Sequence, residues 1–125
     1  MTSLFTPDGI AEWQRHLNDS PAFREAAGDW RGTLLLVEDD DGARRETYLE
    51  VASGRCPVAR VATVDDAANA EFVLAASPTT WADLIAARST PITAAFTGRL
   101  RLVRGDLLRL APHAKAAAAL LSAAA

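Results

Sequence analysis

The sequence is poor in the groups that usually carry chemistry. It has one cysteine, two histidines and only 6% aromatic residues. The lone Cys56 excludes an internal disulfide. With His16 and His113 far from it and from each other, it also excludes a structural zinc centre, which takes about four ligands. No window approaches the roughly 20 apolar residues that span a bilayer. The opening MTSLFTPDG has no cationic stretch and no apolar run, so no signal peptide is expected. The formal net charge is −3 and no long basic block occurs, so a nucleic-acid footprint is not expected. Together these absences favour the cytoplasm as the expected location.

Catalytic groupings are equally scarce. There is no G-x-S-x-G elbow, and Cys56, His16 and His113 fall in separate elements, so no nucleophile meets a base. The seven glycines are scattered at turns and helix ends instead of gathering ahead of one helix, which argues against a phosphate cradle. The acidic run Glu38 to Asp41 lacks the alternating oxygens and distal Glu of a calcium loop and reads as a hairpin tip. Arg104-Gly105-Asp106 reads as a strand end followed by a helix cap. No metal and no cofactor is expected.

What the chain does have is alternation of helix and strand signals, punctuated by a residue before proline. Thr6-Pro7, Ser20-Pro21, Ser77-Pro78, Thr90-Pro91 and Ala111-Pro112 each announce a helix: in the first four the Thr or Ser caps, and in all five proline at the first helical position loses no needed hydrogen bond. Ile10, Trp13 and Leu17 share one face of the first helix, with Asn18 its stop. Phe23, Ala26 and Ala27 follow in the second, ended by Gly28. Thr33 to Val37 is apolar without alternation, as in a strand covered on both faces. Asp41-Gly42 is a strong hairpin signal. Glu46 to Ala52 returns as a strand, Ser53-Gly54-Arg55 turns, and Cys56 to Val64 forms a third strand. Asp65 to Asn69 is a polar connection, and Ala70 to Ala75 a fourth strand.

The stretch Ser77 to Leu110 organises the rest. Trp81, Leu84 and Ile85 lie at i, i+3, i+4 on one apolar face. Ile92, Ala95 and Phe96 repeat that spacing, and Gly98 is placed to end the turn in a left-handed conformation. From Arg99 the period changes to two: Arg99 and Arg101 on one face, Leu100 and Leu102 on the other. Leu100 to Arg104 is therefore the fifth strand, broken by Gly105, with Asp106 capping the next helical run. His113 to Ala125 is nearly all Ala and Leu, a helix that must lie against an apolar surface or leave one exposed.

The segments Phe72-Val73-Leu74, Ser77-Pro78 with Trp81 after Thr79 and Thr80, Gly98-Arg99-Leu100-Arg101-Leu102 and Gly105-Asp106 occur in an order that resembles the SCP2-like family of lipid-binding domains, as does Asp29-Trp30-Arg31-Gly32-Thr33-Leu34-Leu35-Leu36. The resemblance runs from about Trp30 to the C-terminus. Between Gly98 and Gly105 the chain has one residue more than the family pattern, which places a bulge at Val103. The resemblance implies an α/β (α+β) domain, with a five-stranded, largely antiparallel sheet and helices packed on one face. Its division here is 1–28 leading helices, 29–110 sheet and central helices, and 111–125 the C-terminal helix. It also implies non-catalytic binding of a hydrophobic small molecule, such as a lipid, fatty acyl chain or sterol-like ligand, in an apolar tunnel.

The residues expected to line that tunnel are Trp81, Leu84, Ile85, Phe96, Leu100 and Leu102. Large rings set against many alanines either pack tightly or leave a hollow. Arg99, Arg101 and Arg104 form either a solvated strand edge or a hold on the carboxylate or phosphate end of an amphipathic ligand. Two other functions stay open. One is an interaction or homodimerisation module using Leu120 and Leu121 on an exposed C-terminal helix. The other is a small enzyme using an Asp or His in the pocket.

Overall fold

The computed structural model describes residues 3–125. Two helices lead: α1 (Pro7–Asn18) and α2 (Pro21–Ala27). Thr6 and Ser20 cap them through their hydroxyls, with proline at the first helical position in each. A hairpin ribbon follows, β1 (Arg31–Asp40), β2 (Ala43–Ala52) and β3 (Arg55–Val61). Both turns have two central residues with positive φ, Asp41-Gly42 and Ser53-Gly54, the tight hairpin type whose twist matches the strands. Next come α3 (Val64–Asn69), β4 (Phe72–Ala76), α4 (Pro78–Ile85), α5 (Pro91–Phe96), β5 (Arg101–Arg104) and α6 (Leu107–Leu110). A 3₁₀ turn over Ala111–His113 leads into α7 (Ala114–Ser122).

The five strands form one sheet in the order β3-β2-β1-β4-β5. β1 pairs antiparallel with β2 and parallel with β4, while β2–β3 and β4–β5 are antiparallel. β1 is thus the middle strand, which is why Leu34, Leu35, Leu36 and Val37 are all buried with no alternation. The sheet is five-stranded and largely antiparallel with helices packed against it, as expected. At its edge Leu74 faces Leu102 and Val73 faces Arg104, leaving Val103 as the extra residue. The expected bulge is there. Gly105 follows at φ 107°, where a Cβ would run into the Phe72 ring. That position demands glycine on both counts.

Three expected boundaries shift for local reasons. The third strand stops at Val61 and Val64 opens a helix, because Thr63 and Asp66 form a capping box. The fourth strand begins at Phe72. The last helix is split, with α6 and the 3₁₀ turn preceding a nine-residue α7.

The main core lies on the helix-covered face, joining Trp13, Leu17, Phe23, Leu34, Leu36, Leu49, Phe72, Trp81, Leu84 and Leu120. On the other face Leu35, Val37, Tyr48, Val73 and Ala75 form a smaller cluster with Ala67 and Ala70 from α3 and its end. So one short helix also covers part of that second face. Arg104 closes it, donating to the backbone carbonyls of Ala67, Ala68 and Ala70.

Candidate functional site

Where α5, β5, α6 and α7 meet, the helical layer does not fill the space it encloses. An apolar groove of about 350 Å³ lies there, walled by Leu74, Leu100 and Leu102 from the sheet side, Ile92, Ala95 and Phe96 from α5, Leu107 and Leu110 from α6, and Ala114 and Ala117 from α7. Beneath it sits a hollow of about 20 Å³ bounded by Trp30, Leu34, Leu36, Trp81 and Leu121. Leu74, Pro91, Leu100, Leu110 and Ala117 line both.

The hollow follows from side-chain size and anchoring. Trp81 hydrogen-bonds through its indole N–H to the Val37 carbonyl at 3.0 Å, which satisfies the buried donor and fixes the ring. Trp13 does the same toward Leu120 at 2.8 Å, holding α7 against α1. With the rings fixed, the wall beyond them is built from alanines at Ala111, Ala114 and Ala117, whose small side chains leave the space open.

Of the six residues expected to line a tunnel, Phe96, Leu100 and Leu102 line the groove and Trp81 lines the hollow below it. Leu84 and Ile85 do not. Leu84 is packed in the main core. Ile85 borders a separate recess with Leu4 and Phe5. The apolar stripe of α4 is spent on the sheet, on α7 and on the segment before α1, so only its longest side chain reaches the hollow. The wall residues not anticipated are Leu74, Pro91, Ile92, Ala95, Leu107, Leu110, Ala111, Ala114 and Ala117. Their signal was present as small and branched residues at i, i+3 steps: Leu107–Leu110 and Ala111–Ala114–Ala117.

The arginines do not converge on a ligand. Arg99 pairs with Asp83 at 2.7 Å, Arg101 with Asp39 at 3.5 Å, and Arg104 caps α3. The Arg99 guanidinium, then Arg88, hold the Asp83 carboxyl below its ordinary value. Arg99 and Arg101 border an open polar recess of about 670 Å³ with Asp39, Asp41, Ser77 and Thr80. That recess contains both signs of charge, and the Ser77 and Thr80 groups are engaged in capping α4. It is larger than the groove but offers no apolar wall.

The remaining candidates have structural roles. Cys56 is buried, and desolvation pushes its thiol up to about 12, so it is a poor nucleophile. Its backbone ties to Asn18 in both directions, Cys56 N–H to the Asn18 side-chain oxygen and the Asn18 amide to the Cys56 carbonyl. His113 stacks on Trp30 at 4.8 Å, and His16 lies 3.1 Å from the Ala123 carbonyl. Among the described residues no titratable side chain lines the groove, so a pocket Asp or His acting in catalysis has no place there. Leu120 and Leu121 face inward at 2% and 4% exposure, which corrects the expectation that they form an exposed docking face.

A mixed five-stranded sheet, covered by helices that leave an apolar cleft at one end, defines a small α/β domain of ligand-binding type. The chain belongs to the SCP-2 sterol transfer family, whose model matches residues 10–118. A crystal structure of sterol carrier protein 2 is 34% identical over 98% of this chain and 97% of that one, with a TM-score of 0.85. A conserved hypothetical protein from Thermus thermophilus is 33% identical, over 99% of this chain and 89% of that one, with a TM-score of 0.83. Sterol carrier protein 2 of Yarrowia lipolytica, in its apo form, shares the fold at 15% identity and a TM-score of 0.62, with 98% of each chain covered. No curated protein matches.

Proposed function

We propose that this protein binds and carries a hydrophobic small molecule, a lipid, fatty acyl chain or sterol-like ligand, without chemical change, in the groove between α5, β5, α6 and α7. The observation that carries this reading is the groove itself: about 350 Å³ of space walled by aliphatic and aromatic side chains. Ligand sites run from roughly 300 to 1,000 Å³, and burial of apolar surface gives about 25 cal/mol per Å² before the costs of binding. Family membership and the relative at 34% identity, itself a sterol carrier protein 2, support the same class of ligand. The hollow under the groove, bounded by Trp30 and Trp81, continues the apolar lining inward from the groove floor. Residues 1–125 act in this reading as one domain.

The test is native mass spectrometry of delipidated protein mixed with a panel spanning a long-chain fatty acid, a monoacyl lipid and a sterol. At least one member is expected to remain bound at one molecule per chain. A protein that retains none of the panel would end the carrier reading.

A further inference from the structure

Trp81 stands between two cavities. On its inner side it bounds the hollow of about 20 Å³ beneath the groove, with Leu34, Leu36 and Leu121. On its outer side it borders the recess of about 200 Å³ that Leu4, Phe5, Pro78 and Ile85 help to line. Among the described residues it is the one that lines both. The other walls of the hollow have protein behind them. Leu34 and Leu36 stand on the middle strand of the sheet, and Leu120 and Leu121 on α7, which the Trp13 bond to the Leu120 carbonyl holds against α1. Beyond the Trp81 ring there is empty space instead. The ring is also fixed. Ser77 caps α4 and Pro78 opens it, so Trp81 falls one turn in, and helical side chains lean back toward the N-terminus. Its indole N–H donates to the Val37 carbonyl at 3.0 Å. The Phe5 ring meets it from the recess side, 5.9 Å between centroids. Tied at its edge and backed by a second ring, the indole is a wall.

We propose that Trp81 is the end stop of the binding groove: its ring sets the length of apolar chain the protein accepts, and the ligand is an unbranched acyl chain whose methyl end lies against it. This rests on the carrier reading and names the ligand within it. The hollow, at about 20 Å³, is close to the size of one water-sized group. It has room for the terminal methyl of a chain and is too narrow for fused rings. Among the described residues no titratable side chain lines the groove or the hollow. A carboxylate carried inward would be desolvated without a partner, so the polar end stays at the groove mouth and the methyl end points in. Each methylene that finds apolar room strengthens binding by about fourfold. A methylene that meets the fixed indole gains nothing and pushes the rest of the chain back toward water.

The experiment is titration of the saturated acids from octanoic to eicosanoic, with a sterol alongside, into the parent and into Trp81→Leu, which keeps an apolar side chain but removes the ring between hollow and recess. In the parent, affinity should climb about fourfold per methylene and stop climbing at one length. In Trp81→Leu the climb should continue, so that an acid two methylenes past the parent's limit binds at least about tenfold tighter than it does to the parent. Shorter acids should bind both proteins alike. Ile85→Ala, which widens the recess on the far side of the ring, should keep the parent's limit. A second arm needs no variant: a long acid brominated at its last carbon should quench the tryptophan emission of the parent, and its isomer brominated beside the carboxyl should not. The same limit in the parent and Trp81→Leu, a limit moved by Ile85→Ala, or equal quenching by the two isomers would overturn the end stop and leave a carrier in place. A parent that binds the sterol and no acid would overturn it as well. Only a parent that binds neither ends the carrier reading too.

Discussion

The two ends of the helix-covered face are built from similar elements and end up in opposite states. Under α1, α2 and the N-terminal part of α4, the space is filled by Trp13, Leu17, Phe23 and Trp81, each at 2% exposure or less. Under α5, α6 and the start of α7, the side chains stop short and a groove remains. Hydrophobicity does not separate them, since both are lined by apolar residues. Volume and anchoring do. At the filled end each tryptophan carries a polar handle that finds a backbone carbonyl, Leu120 for Trp13 and Val37 for Trp81. At the open end the wall of α7 is alanine, and the ring that could have filled the gap, Phe96, stands at the rim. Close-packed interiors tolerate few voids, so a gap of this size at one end of an otherwise filled core is a built feature of the fold.

The sharpest way to break this comparison is to damage the filled end. Leu120→Glu with Leu121→Glu places two carboxylates among buried apolar groups with no partner. The cost is expected to reach the whole stability of a small domain, about 5–15 kcal/mol, so circular dichroism should show an unfolded chain. A folded monomer would show that α7 is not part of the core. Next in size is Trp81→Ala, which removes a buried ring and its hydrogen bond to the Val37 carbonyl. Urea unfolding should show a loss of about 3–5 kcal/mol.

Asp66 tests the second, smaller cluster. Arg60 donates to both of its oxygens, and Thr63 donates a backbone N–H. The Arg60 hydrogen bonds come first among the causes that hold its carboxyl well below the ordinary range. A carboxyl depressed in the folded state stabilises the fold above its unfolded value of about 4 and loses that contribution as pH falls toward the folded value. Asp66→Asn should therefore cost about 1 kcal/mol at neutral pH, mostly the ion pair with half-exposed Arg60, since the Asn oxygen still accepts the Thr63 N–H of the capping box. The gap between it and the parent should close as the pH is taken below about 4; a gap constant with pH would count against the ion pair. Smallest of all is Phe96→Ala. At 85% exposure it should change stability by no more than about 0.5 kcal/mol, while weakening retention of an apolar ligand. A large stability loss would mean that the rim is part of the core after all.

Much of the fold was legible because its signals are local. A Thr or Ser before proline starts four of the helices, and each side chain accepts from the amide three residues on. The unalternating Thr33 to Val37 run read as a strand covered on both faces, and it is the middle one of the sheet. The one-residue excess before Gly105 marked the bulge at Val103. The site was less legible. Period placed Trp81, Leu84 and Ile85 on one face correctly. It could not say that the face is shared between the sheet, α7 and Leu4–Phe5, which is a matter of tertiary packing. The charged residues of β5 misled for a similar reason. Alternation put Arg99 and Arg101 on the same side, but their partners, Asp83 and Asp39, sit in other elements far back along the chain. The alanine wall was overlooked because alanine says helix and nothing about what lies beside it. Space is set by what the neighbours fail to fill, and no single segment records that.

The central claim, that the gap at the end of the core is room for an apolar molecule, is tested most directly by calorimetric titration of a long-chain fatty acid into the parent protein and into Ala117→Phe. One molecule should bind the parent, and the filled variant, folded and within about 1 kcal/mol of it in stability, should give no binding heat. Equal binding by both proteins would place the ligand elsewhere, and the groove would then have no part in carrying it.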